Sequence, residues 1–189
     1  MPDLRSFQDT GSSYFFTIRL AFGLEGLLTR RIGDLRQAMR HTLARHPFRI
    51  DAIAVLPDVI HTLWTLPEGD NGYANRIGML KGRFSRMQQM PIHRTPGQIR
   101  RGEKGIWQRR YWEHRILDQQ DFDRHRDLIH LSPVHAGLCV RPQDWQFSSV
   151  HRDLRKGAVT RTLSAPQPKS GADRTPQQEI SQEFVLLES

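Results

Sequence analysis

Residues 48–70 read FRIDAIAVLPDVIHTLWTLPEGD, and the fold turns on them. Two alternating apolar runs flank Pro57 and Asp58, and a Pro-Asp pair between β-branched and aromatic residues is turn chemistry. The expected element is a hairpin with strands over 48–56 and 59–66. Side chains along a strand alternate with a period of two. Ile60, Thr62, Trp64 and Leu66 therefore share one face, and Val59, His61, Leu63 and Thr65 share the other. Two imidazoles at i and i+2 would converge on one divalent ion, but Val59 offers no lone pair and only His61 is present. A single strand histidine is, taken alone, more often a satisfied half-buried residue than a ligand.

Working outward, YFFTIRL at 14–20 is rich in aromatic and β-branched residues and predicts the first strand. Ile32, Leu35, Met39 and Leu43 recur at spacings of three and four, which predicts a helix over 31–46 that stops before Pro47. After the hairpin, Asn71 is placed to cap a second helix. Ile77, Leu80, Phe84 and Met87 form its buried stripe, with Arg76, Arg83 and Arg86 off it. Residues 90–105, punctuated by Pro and Gly, predict a loop carrying Arg94, Arg100, Arg101 and Lys104. A fourth strand falls within 106–116. Asp118 caps a third helix from Gln119 to about Leu131, buried through Phe122, His125 and Ile129, and Pro133 is expected to end it.

This order predicts an α+β protein with a ferredoxin-like, antiparallel four-stranded sheet and helices packed on one face. The domain spans 12–157. Pro, Gln, Ser and charged residues dominate 158–189, which is expected to be a flexible C-terminal tail.

The 189 residues carry a formal net charge of +8. The excess is local: residues 76–115 hold eleven Lys or Arg against Glu103 and Glu113, whereas residues 164–189 are net negative. Such concentration points to a polyanionic partner. Trp107, Tyr111 and Trp112 are interleaved with Arg109, Arg110 and Arg115, a combination suited to single-stranded nucleic acid because bases stack on rings while guanidinium groups hold phosphates. The expected DNA-binding residues are Lys81, Arg83, Arg86, Arg100, Arg101, Arg109, Arg110, Tyr111 and Trp112. One cysteine, Cys139, excludes an intramolecular disulfide and paired-cysteine zinc fingers. No apolar run approaches the roughly 18 residues of a membrane span, and MPDLRSFQDTG lacks a signal-peptide layout, so a cytoplasmic location is expected.

Several blocks, in order, carry a resemblance: HPFRIDAIAVLPDVIHTLWTLPEGD, LKGRFSR at 80–86, GIWQRRYWEH at 105–114, IHLSPVHAGL at 129–138 and RPQDWQFSS at 141–149. The chain resembles the REP-associated tyrosine transposases of the HUH superfamily over roughly residues 14–157. That resemblance implies a protein that recognises hairpin-forming repeat DNA and cleaves single-stranded DNA through a tyrosine, using Mg or Mn. The family's His-hydrophobic-His motif maps onto Val59, Ile60 and His61. Its Tyr-Ile-His-x-Asn-Pro block maps onto residues 128–133, so the nucleophile's position holds Leu128 and the polar ligand's position holds Ser132. His61 remains as a remnant metal ligand, with Val59 and Ser132 at its partner positions.

Leucine cannot form a phosphotyrosyl intermediate, and losing a covalent nucleophile removes on the order of 10⁶ in rate where groups act as a unit. The expectation is a transposase-like protein that binds single-stranded or hairpin DNA, has no intact catalytic residue and needs no cofactor of its own. The alternatives are an active transposase with relocated groups (Tyr14, Tyr73 or Tyr111 as nucleophile, His114 or His130 as ligand) and an RNA-binding ferredoxin-like module.

Overall fold

The computed structural model describes residues 11–89 and 94–157. Strands β1 (Ser13–Arg19), β2 (Arg49–Val55), β3 (Val59–Thr65) and β4 (Trp112–Arg115) form one sheet in the order β2-β3-β1-β4. Every pairing is antiparallel. The helices are α1 (Leu27–Arg30), α2 (Ile32–Arg45), α3 (Tyr73–Arg86), α4 (Pro96–Arg100), α5 (Gln119–His135) and α6 (Val150–Arg155), with a 3-10 turn at Pro142–Asp144. This is the expected ferredoxin-like arrangement. The hairpin closes where Leu56 N–H donates to Val59 O at 2.8 Å, and the register pairs Thr17 with His61 and Arg19 with Val59.

Alternation along β1 and β3 divides the core. Phe16, Ile18, Ile60 and Trp64 pack with Leu35, Ala38 and Met39 of α2 and Ile77, Leu80 and Phe84 of α3. Phe15, Ala52, Ala54, Val59 and Leu63 pack on the opposite face with Ile129 and Phe122 of α5. The expectation of helices on one face holds for α2 and α3 and is corrected for α5. All seven residues of β3 are buried, so both of its faces need cover.

Four local expectations are also corrected. Asn71 is not the cap of α3: Gly72 is, and the Asp70 carboxylate accepts from Gly72 N–H at 2.7 Å. Arg76 is no surface residue. It is 3% exposed, grips Asp70 at 2.6 Å and donates to the carbonyls of His46 and Pro47. The expected loop at 90–105 contains α4, started by a reciprocal Thr95/Gln98 capping box. Pro133 lies inside α5 rather than at its end. A proline cannot donate to the carbonyl four residues back, and here Ser132 Oγ donates to Ile129 O at 2.8 Å in its place.

The segment before α6 runs along the outer edge of β2. Val55 N–H donates to Phe147 O at 2.9 Å, Ser149 N–H to Ile53 O at 2.8 Å, and Ile53 N–H to Ser149 Oγ at 3.0 Å. Arg152 fastens the same edge through the carbonyls of Ile50 and Asp51. The expected tail over 158–189 lies outside the described residues.

Candidate functional site

His61 stands at the centre of the α5-covered face, fully buried. Its Nδ1 lies 3.0 Å from Thr17 Oγ1, and its ring stacks on Phe15 at 6.2 Å between centroids. Burial, reinforced by the Arg19 cation, pushes the imidazole down to about 3, so it is neutral at physiological pH. Arg19 is the register partner of Val59 and pairs with Asp58 at 3.9 Å. The helix carrying Leu128 and Ser132 packs against the strand carrying Val59 and His61. Leu128 is half-buried, while Ser132 is buried with its hydroxyl bonded to Ile129 O.

The chain has three tyrosines, and all pack on the other face of the sheet. Tyr14 and Tyr73 lie 4.8 Å apart, and Phe16 meets Tyr73 at 5.5 Å and Tyr111 at 6.2 Å. The Tyr73 hydroxyl donates to Glu113 at 2.8 Å, and this bond together with burial raises its pKa to about 12. No phenol therefore shares the face of His61. His130 is committed elsewhere, with Nε2 3.2 Å from Asp153 and 3.3 Å from Ser149 Oγ. His114 lies on β4 beside Asp121 at 2.8 Å.

Of the expected DNA-binding residues, Lys81, Arg86 and Arg109 line one cleft, whereas Trp112 packs on the opposite face of the sheet. Burial first, then the nearby cations Arg83, Arg45 and Arg86, holds the His41 imidazole on α2 below its ordinary pKa. Arg86 also lines a cleft of about 390 Å³ with Arg109, Lys104 and Trp107. Arg100, Arg109 and Arg110 are exposed. Lys81 is instead a clasp. It donates to Gln108 O at 3.1 Å, lies 5.1 Å over the Tyr111 ring, and burial pushes its ammonium down to about 8. Arg101 is paired with Glu103 at 2.7 Å. Tyr111 and Trp112 point to opposite faces, Tyr111 against Phe16 and Trp112 against Phe15 at 5.5 Å. Sequence reasoning passed over three further arginines exposed on α2: Arg45, which shares the neighbourhood of His41 with Arg83 and Arg86, and Arg36 and Arg40, which border the β2 edge with Ile50 and Arg152. Their signal was available, because all three lie off the Leu35–Met39 stripe.

No protein-family model matches the chain. A protein of Escherichia coli (strain K12) described as a REP-associated tyrosine transposase is 36% identical over 157 residues, covering 83% of this chain and 87% of that protein. A relative from Haemophilus influenzae described as a "Putative REP-associated tyrosine transposase" is 42% identical over 146 residues, 77% of this chain and 83% of its own length. The chain belongs to the REP-associated tyrosine transposases. A solved structure of a REP-associated tyrosine transposase bound to a REP hairpin superposes with a TM-score of 0.70 at 33% identity, covering 92% of this chain and 98% of that one.

For a REP-associated tyrosine transposase the donor set here does not fit a divalent ion. Val59 has no donor atom, the Ser132 hydroxyl already serves the Ile129 carbonyl, and the Arg19 cation faces the same side as His61. Among the described residues no helix is long and apolar enough to cross a membrane.

Proposed function

We propose that this chain recognises hairpin-forming repeat DNA, presenting a REP-type hairpin's phosphates to the Arg83/Arg86/Arg109 side of α3, and does not cleave it. It acts in the cytoplasm, where repeat DNA is available. What supports binding is the relative solved with a REP hairpin, together with the charge gathered on α2 and α3. What supports the loss of cleavage is one observation above all: the chain's tyrosines pack on the sheet face opposite His61. An in-line attack on a phosphodiester needs a nucleophile beside the group that polarises the phosphate, and Leu128 supplies none. Of the three side chains that would hold an ion, His61 alone retains a suitable donor.

The test pairs binding with nicking. Fluorescence anisotropy with a labelled REP-type hairpin at low salt should show saturable binding that weakens steeply as salt rises. A strand-cleavage assay with Mg or Mn should show no product for the natural chain, and product should emerge when Val59→His, Leu128→Tyr and Ser132→Asn are combined. Absence of hairpin binding at low salt removes the recognition half. Divalent-dependent nicking by the unaltered chain removes the other.

A further inference from the structure

We propose that His114, Asp121 and His125 bind a single divalent transition-metal ion of zinc-like character at the corner where β4 meets α5. One donor atom from each residue lies within 4.8 Å of the others. Asp121 reaches both rings, His114 Nε2 at 2.8 Å and His125 Nδ1 at 2.9 Å, and the two imidazoles stack at 4.6 Å with an interplanar angle of 18°.

Two imidazoles and one carboxylate make a borderline donor set. It suits zinc, cobalt or nickel, whereas magnesium and calcium ask for oxygen ligands. Bonds of about 2.0–2.2 Å in a tetrahedron set neighbouring donors about 3.3–3.5 Å apart. The present contacts are held by protons, and exchanging those for an ion opens each by about half an ångström. His114 and Asp121 are 19% and 16% exposed, which leaves a path for an incoming ion and a water ligand, while His125 is 3% exposed.

The surroundings are those of oriented ligands. Leu117 N–H donates to Asp121 Oδ2 at 3.0 Å and so fixes the carboxylate, whose Oδ1 faces His125 Nδ1; that nitrogen also lies 2.9 Å from the Asp121 backbone carbonyl, which orients the ring. Trp112 stacks parallel to His114 at 6.0 Å, and Phe15 lies against His125 at 5.1 Å. The site is separate from His61: β1 runs between the two strands concerned, and the Phe15 ring contacts both His61 and His125. The ion would staple a four-residue edge strand to the helix that carries Leu128, and this does not depend on the DNA-binding reading.

The full chain, stripped with a chelator and dialysed, is titrated with Zn2+ by calorimetry and with Co2+ by visible absorption. Expected are one equivalent bound, tetrahedral cobalt bands, and a melting temperature raised by about 5–10 °C at a hundredfold excess over Kd. His114→Gln and His125→Gln should each weaken binding at least about tenfold, whereas His61→Asn retains the ion. Asp121→Asn, which keeps an oxygen facing Leu117, guards against a histidine variant that fails to fold and should weaken binding likewise. The proposal is overturned by the absence of stoichiometric Zn2+ binding, by a cobalt spectrum indifferent to the His114 and Asp121 changes, or by an ion lost with His61→Asn.

Discussion

The hydroxyl of Ser132 does for α5 what an amide hydrogen does elsewhere in a helix. Pro133 leaves the Ile129 carbonyl without its usual donor, and Ser132 Oγ supplies one at 2.8 Å in a buried setting. Ser132→Ala should therefore cost about 1–3 kcal/mol in urea unfolding, the range for stranding a buried acceptor, and Ser132→Thr should recover most of it. A loss within a few tenths of a kcal/mol would show that the carbonyl has another partner. The same residue marks where sequence reading failed. Ending the helix before Pro133 applied the backbone rule alone, although a hydroxyl one position earlier was the signal that the helix could continue. At His61 the reading went further, since its strand and face followed from alternation. Its neutrality did not, because the Arg19 cation that reinforces the effect of burial sits on another strand.

Among the elements, α5 shows how a correct pattern can be assigned the wrong cover. The two faces of β3 were legible, and both were apolar: Ile60 and Trp64 on one, Val59 and Leu63 on the other. A strand apolar on both sides requires partners on both sides. Following the strand-helix order of the fold, rather than that two-sided pattern, put every helix on one face. Asp118 was read correctly, and its carboxylate accepts from Asp121 N–H at 2.8 Å. Ile129, fully buried against Phe15, Ala54 and Leu63, is the anchor of the second layer. Ile129→Ala should lower stability by about 2–5 kcal/mol through the cavity it leaves. Thermal unfolding followed by circular dichroism measures this, and a change below about 1 kcal/mol would mean that α5 is not held by this residue.

Over the whole molecule, charge has a direction that composition alone conveyed only in part. The concentration of Lys and Arg in residues 76–115 was plain from the sequence, but which of them are held by partners within the protein depended on the tertiary fold. Arg76 is consumed by Asp70, Arg101 by Glu103 and Lys81 by two carbonyls, whereas Arg83, Arg86 and Arg109 remain on the α3 side. Removing one cation that neutralises a phosphate should reduce the slope of log K against log salt by about 0.9 on duplex DNA. Arg83→Ala, Arg86→Ala and Arg109→Ala should each do so, while Arg101→Ala should change it little. Anisotropy titrations between about 50 and 200 mM salt separate these outcomes. Equal slopes for all four variants would place the phosphates elsewhere.

The strap of residues 147–149 along β2 bears on how copies of this chain meet one another. An open strand edge is a template on which a second molecule can add its own backbone, and here the long edge is already occupied by the chain itself. The remaining edge is a four-residue strand with Glu113 and Arg115 turned outward, too short and too charged to invite a neighbour. A version ending before Trp145 would uncover β2 and should gain a tendency to polymerise edge to edge, a hazard that the intact protein holds in check with its own backbone.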